Sequence, residues 1–173
     1  MARRVAQFYK VSFGQFREGV EDVFGHTFGE DEIQKIYDQI RLPVRATAGS
    51  AGYDFFAPVK IELIPGETIK VPTGIRVKME ENWVLKCYPR SGLGFKFRLQ
   101  LNNTVGIIDS DYFYSDNEGH IFAKITNDSN EGKTVRIEAG TGFMQGIFVE
   151  YGITLDDHVT EERNGGFGST TDR

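Results

Sequence analysis

Between Ser12 and Ile40 the apolar positions recur every three or four residues. Phe13, Phe16, Val20, Val23 and Phe24 fall on one helical face, and Ser12 with Gln15 predicts a capping box at the start of that helix. After the break at Phe24–Gly29, "FGHTFG", the residues Ile33, Ile36, Tyr37 and Ile40 predict a second short amphipathic helix, ended by Leu42-Pro43. From Pro43 to about residue 155 the period changes to two. In "VKIELIPGETIKV" the apolar Val59, Ile61 and Leu63 alternate with Lys60 and Glu62, and Pro65-Gly66 supplies a turn. "GIRVKME", "NWVLKCY", "HIFAKIT", "KTVRIEA" and "FMQGIFV" repeat the style between clusters of Gly, Asn and Asp. The pattern predicts a mainly β, mostly antiparallel barrel or sandwich preceded by helices. Beyond it the tail "RNGGFGSTT", Arg163 to Thr171, has almost nothing to bury except the ring of Phe167.

Composition narrows the function. A chain of 173 residues is one domain's worth. Its net charge of -5 argues against a nucleic-acid groove, while leaving room for a small anionic ligand held by a few local cations. One cysteine, Cys87, forms no intrachain disulfide, and with three scattered histidines (His26, His120, His158) it makes no zinc site. No apolar run approaches membrane-spanning length and the first residues lack an apolar signal core, so a cytoplasmic protein is expected. "NEGKT", Asn130 to Thr134, echoes a phosphate-binding loop, but Asn127 stands where that loop needs glycine and a strand pattern follows; a surface turn is expected.

Four stretches carry candidate chemistry. "PRSGLG", Pro89 to Gly94, sets Arg90 and Ser91 on a glycine-loosened backbone that suits an oxyanion, or else merely connects two strands. "NTVGIIDSDY", Asn103 to Tyr112, has two carboxylates at i and i+2, on one face if the strand continues; Asp109 or Asp111 is then a general base, a metal ligand or the polar edge of a hairpin. Asp54 in "AGYDFFAP" lies among core-type residues and needs a partner. Gln145 in "GFMQGIF" caps its own loop or faces a ligand.

Taken in order with the tail, these stretches resemble the five motifs of the homotrimeric deoxyuridine triphosphate pyrophosphatases, the dUTPases: "LPVRATAGSAGYDFFAP", "PRSGLGFK", "NTVGIIDSDY", "GTGFMQGI" and "RNGGFGSTT". The resemblance covers Leu42 to Thr171, and "RVAQFYKV" resembles the family's first strand. It implies a dUTPase-like antiparallel β-barrel of jelly-roll type, one domain over residues 1–173, with a helical insertion at 12–40 and a mobile C-terminal lid at 160–173. It implies Mg2+-dependent hydrolysis of dUTP to dUMP and pyrophosphate by water attack on the α-phosphorus.

The same resemblance implies the roles. Asp109 orients and deprotonates the water, Asp111 is structural, and Asp54 reaches the waters of a Mg2+ ion held chiefly by the triphosphate. Arg90, Ser91, Gly92 and Gln145 contact phosphates. Asn103 and Gly106 belong to the hairpin that reads uracil, and Tyr112 packs under the deoxyribose to exclude a 2′-hydroxyl. Phe167 stacks on the base while Arg163, Gly168, Ser169 and Thr170 bind the terminal phosphates. A homotrimer with active sites shared between chains is implied, with no membrane or nucleic-acid partner.

The chain also departs from the family pattern. Gly142 stands where the fourth motif usually has arginine, and "FYSDNEGH" replaces a short turn after Tyr112. The tail has one residue fewer between Arg163 and its glycine pair, and Thr171 stands in place of a closing glycine. The helices at 12–40 have no counterpart in the minimal family; they are expected to pack on the barrel or a neighbouring subunit, or to meet a regulatory protein. Two alternatives share the scaffold: a dCTP deaminase-like enzyme, which would lack Asp109 and the Phe167 tail, and a regulatory, repressor-binding protein.

Overall fold

Alternation becomes burial wherever the strands form: every second side chain of Ile61–Leu63, Ile75–Met79 and Val135–Ile137 is turned into the interior. The computed structural model describes residues 3–161 and residue 163. In chain order these residues form β1 (Ala6–Lys10), α1 (Phe13–Phe24), α2 (Glu30–Gln39), β2 (Val44–Arg45), β3 (Tyr53–Phe56), β4 (Ile61–Leu63), β5 (Thr68–Pro72), β6 (Ile75–Met79) and β7 (Trp83–Pro89). They continue with α3 (Ser91–Phe97), β8 (Leu99–Leu101), β9 (Gly106–Ile108), a 3-10 turn (Ser110–Tyr114), β10 (Phe122–Asn127), β11 (Val135–Ile137) and β12 (Gly142–Glu150).

All the strand pairs described are antiparallel. The largest sheet runs β2-β3-β12-β7-β9; β5-β10-β8, β1-β6 and β4-β11 close around it. Phe55, Ile61, Leu85, Ile121, Ile125, Phe143 and Met144 are fully buried in the core they share. This is the expected antiparallel barrel of jelly-roll type. The Pro65-Gly66 turn forms, with Gly66 at φ 88°. However, its flanking strands do not pair with each other: β4 takes β11 and β5 takes β10, so the chain crosses between sheets there.

Both predicted helices are present, and the apolar face of α1 docks on the barrel. Phe16 and Val20 pack with Val11 and Ile33 from α2. The approach is close enough that Gly74, at φ 71°, has no room for a side chain, since a Cβ there would lie 2.4 Å from Ile40 Cδ1. Only half of the predicted capping box forms. Ser12 Oγ accepts from the Gln15 amide at 3.2 Å. The return bond comes from another part of the chain: Ser12 donates its amide to Glu118 Oε2 at 2.8 Å and its hydroxyl to Glu118 Oε1 at 2.6 Å.

Where α1 meets the barrel lies His120, with no exposed surface. Its Nε2 accepts from the Gly74 amide at 2.9 Å, and its ring packs against Phe16 and Phe122. Burial pushes the imidazole pKa down to about 3, with Glu118 opposing the shift and Lys70 adding to it. An unfolded histidine titrates near 6.5. Between these values the unfolded chain binds a proton that the folded chain does not, so stability falls as pH falls. We predict that lowering the pH from about 6.5 towards about 3 removes up to about 1.4 kcal/mol per pH unit through this residue. Urea unfolding of wild type and His120→Gln across that range checks it: the variant's stability should depend less steeply on pH, and parallel curves would contradict the assignment.

Candidate functional site

The site residues begin from strand β12, because its two neighbours carry partners in register. Gln145 lies opposite Asp54 of β3 on one side and Tyr88 of β7 on the other. Gln145 and Asp54, with Gly52, Arg90, Ser91 and Gly92, line a cavity of about 440 Å³. Asp54 is paired: its Oδ1 is 3.2 Å from Arg90 Nε. Arg90 also donates to the Gly142 carbonyl at 3.4 Å, and a Cβ on Gly142 would come within 3.0 Å of Arg90 Nη1. The missing arginine at 142 therefore makes room for the arginine at 90. Gln145 donates to the Pro89 carbonyl at 3.4 Å, while its Oε1 reaches over Gly52, where a Cβ would be 2.7 Å away.

"PRSGLG" is not the loose turn expected from its glycines. The chain enters α3 at Ser91 with Arg90 as N-cap, and the Leu93 and Gly94 amides bond back to the Arg90 carbonyl. Helical pitch explains how two glycines are accommodated, and it leaves the Ser91 and Gly92 amides in the first turn, where no intrahelical acceptor exists.

A second cavity, of about 390 Å³, is lined by Asn103, Gly106, Ile108, Ala123, Met144 and Cys87. It shares no lining residue with the first. Its mouth is the turn between β8 and β9. That turn is not a simple hairpin, because β8 pairs with β10 and β9 with β7, so its two arms diverge and the cavity opens between them. Thr104 takes φ 65° to make the bend. Burial pushes the Cys87 thiol up to about 12, as expected for a group surrounded by apolar walls.

Asp109 follows β9 directly and caps the 3-10 turn that contains Asp111 and Tyr112. The strand ends before Asp109, so strand alternation does not align the two carboxylates as the i, i+2 spacing suggested. One arginine unites them instead. Arg163 Nη2 donates to Asp109 Oδ2 at 2.5 Å and Nε donates to Asp111 Oδ1 at 2.9 Å. Its guanidinium carbon lies 5.9 Å from the Tyr112 ring centroid. Burial raises the Asp109 pKa and the Asp111 charge adds to it, against the charge and hydrogen bond of Arg163. Tyr112 is almost wholly buried, 3% exposed.

The sequence-derived residues thus fall into two groups on one chain: Asp54, Arg90, Ser91, Gly92 and Gln145 around the first cavity, and Asn103, Gly106, Asp109, Tyr112 and Arg163 at or beside the second. Phe167, Gly168, Ser169 and Thr170 lie outside the described residues. Sequence reasoning missed Asn117, whose amide meets the Tyr112 hydroxyl at 2.8 Å; the unusual length of "FYSDNEGH" was the available signal. We predict that Arg163→Gln, by removing the opposing cation, raises the Asp109 pKa further. Carboxyl carbon chemical shifts followed against pH check this, and a lowered pKa would reject the assigned balance.

Comparison with known proteins agrees with this geometry. The dUTPase family model matches residues 38–171. The deoxyuridine 5'-triphosphate nucleotidohydrolase of Lactococcus lactis is 42% identical over 134 residues, 76% of this chain and 88% of its own. That of Escherichia coli is 36% identical over 142 residues, 78% of this chain and 89% of its own. Among solved structures, the dUTPase of Streptococcus mutans superposes with a TM-score of 0.58 at 40% identity, covering 65% of this chain and 88% of that one. A Staphylococcus bacteriophage 80alpha dUTPase mutant with dUpNHpp shares the fold at 22% identity, with a TM-score of 0.63 over 96% of this chain and 98% of its own. Matched along three quarters of its length by a family whose motifs line both cavities, the chain belongs to the dUTPase family.

Proposed function

We propose that this chain hydrolyses dUTP to dUMP and pyrophosphate, with Asp109 as the general base acting on a water aimed at the α-phosphorus. The single observation that supports this most is the position of Asp109. It directly follows β9, whose Gly106 and Ile108 line the apolar cavity, and its carboxyl pKa is raised. A raised pKa makes a carboxylate a stronger base. Alignment of water and phosphorus supplies the rest of the acceleration.

The apolar cavity takes the uracil, with Asn103 and the amides around Gly106 on its polar edge. Polar groups left unpaired by a wrong base disfavour it strongly, whereas exclusion of one methyl is worth about 1–3 kcal/mol. The other cavity takes the triphosphate on Arg90, on the Ser91 hydroxyl, on the first-turn amides of α3 and on Gln145. Because the two cavities of one chain share no lining residue, we take a complete site to be assembled between chains, and the assembly to be the homotrimer.

A divalent cation fits this donor set. Among the described residues no three His, Cys, Asp or Glu side chains converge on a metal position. Asp54 is a single half-buried carboxylate facing the phosphate cavity, which suits Mg2+ bound mainly through phosphate oxygens and water. Bound there, Mg2+ supplies charge neutralisation along the triphosphate.

Arg163 acts twice in this reading. Without nucleotide it holds Asp109 and Asp111; with nucleotide the triphosphate draws it away and frees Asp109 for the water. The tail beyond it then closes, Phe167 on the uracil and Gly168, Ser169 and Thr170 on the terminal phosphates.

Asp109→Asn keeps shape but cannot take a proton. Turnover should fall by about two to four orders of magnitude while dUTP binding persists. Pyrophosphate release and calorimetric binding on the same sample decide it, and near-normal turnover would reject Asp109 as base. Ending the chain after Arg163 removes the ring of Phe167. A base–aromatic stack is worth about 1–3 kcal/mol. The kcat/KM for dUTP should therefore drop by at least about fivefold. An unchanged kcat/KM in the truncated protein would refute the closing tail.

A further inference from the structure

The segment after Tyr112 has no role in the reaction as described, yet it folds back on Tyr112 itself. The phenol hydroxyl donates to the His120 carbonyl at 2.8 Å and accepts from Asn117 Nδ2 at 2.8 Å. Asn117 Oδ1 in turn accepts from the Gly119 amide at 3.1 Å, and the Asn117 carbonyl accepts from the His120 amide at 3.0 Å. The Ser115 amide donates to the Tyr112 carbonyl at 3.1 Å. The wrap is tight: Gly119 takes φ 69°, and a Cβ there would lie 2.6 Å from the Tyr112 carbonyl oxygen. Glu118 itself adopts φ 57°, a conformation uncommon outside glycine.

The loop is clamped from outside as well. Glu118 receives both donors of Ser12 at the start of α1 and lies 3.7 Å from Arg76 Nη1. Burial pushes its carboxyl pKa up, but the Ser12 hydrogen bonds and Arg76 outweigh that and the net direction is down. Arg76 also donates to the Phe113 carbonyl at 2.7 Å and stacks 3.7 Å from the Phe113 ring centroid. The start of helix α1 and strand β6 therefore both clamp the loop that holds the phenol. Among these contacts Asn117 is the side chain that touches the hydroxyl. Its carboxamide donates to the hydroxyl through Nδ2 and accepts from the Gly119 amide through Oδ1 at once.

We propose that Asn117 is a positioning residue for sugar discrimination: it fixes the Tyr112 ring so that a 2′-hydroxyl has no space, and the loop at 115–120 transmits the rigidity of α1 to that ring. This rests on the reading that Tyr112 packs under the deoxyribose. A ring held at its hydroxyl by one donor and one acceptor cannot tilt, whereas a ring missing one of them has room to yield.

The test measures kcat/KM for dUTP and for UTP in the full-length protein for wild type, Asn117→Ala, Tyr112→Phe, the double variant and Tyr112→Ala. Asn117→Ala should reduce the preference for dUTP by about five- to tenfold, the effect of one hydrogen bond. Adding Asn117→Ala to Tyr112→Phe should change the preference no further, because the contact is already gone. An unchanged preference, an equal loss on both substrates, or additive effects would each overturn the positioning role. Tyr112→Ala separates the two readings. If it leaves the preference unchanged, the sugar-reading role of Tyr112 fails. If it lowers the preference while Asn117→Ala does not, only the role of Asn117 fails. Should Asn117→Ala not fold, Asn117→Leu gives the same readout, since it is close in size and can neither donate to the phenol nor accept from it.

Discussion

Strand β12 is hydrogen-bonded along both edges, to β3 and to β7, and the register of those two ladders determines where nearly everything else can be. A slip of one residue would turn Met144 outward and Gln145 inward, so the burial of Met144 in the core locks Gln145 on the cavity side. The same register sets Gln145 opposite Asp54 and brings Arg90, at the end of β7, beside Gly142. Glycine is required at these crossings by contact distances: a Cβ at Gly146 would lie 2.8 Å from Leu85 Cδ1. Asp54 and Gln145 are thus held by backbone ladders, and Arg90, Ser91 and Gly92 by the strand-to-helix junction that follows β7.

Charge is organised differently on the other side. Asp109 and Asp111 are like charges close together, which would be costly without a cation. Arg163 supplies that cation from a position 52 residues beyond Asp111. Cys87 lines the nearby cavity, where burial pushes its thiol up to about 12, and in such surroundings each polar contact counts for more than it would in water. Burial that raises the Asp109 pKa is part of the same environment.

Much of this was legible in the sequence because it rests on short-range periodicity. The two helices and the barrel strands are marked by local alternation, and Asp54, Arg90, Asn103, Asp109 and Gln145 by motifs that resemble those of the dUTPases. What was not legible depends on partners distant in the chain. A Ser-x-x-Gln pattern promised a capping box, but Glu118 displaced Gln15 from half of it. Two glycines suggested that Pro89–Gly94 would be a turn, yet the Arg90 cap and helical bonding carried the chain into α3. The i, i+2 carboxylates implied a shared strand face, but the strand stopped at Ile108 and a 3-10 turn took over. Asn117 could be recognised only as part of an unusually long connection; its contact with Tyr112 depends on left-handed backbone at Glu118 and Gly119 that no local pattern specifies.

The bond between Ser12 and Glu118 spans 106 residues, which bears on how the chain acquires its shape during synthesis. A helix of 12 residues is marginal by itself, and α1 lacks its second cap until residue 118 exists. At ribosomal rates of about 5–20 residues per second, that wait lasts about 5–20 s. Throughout it, Phe16 and Val20 have no barrel to cover them. Nascent α1 therefore cannot complete its docking until the residues that cover and cap it, Glu118, His120 and Phe122 among them, have been made.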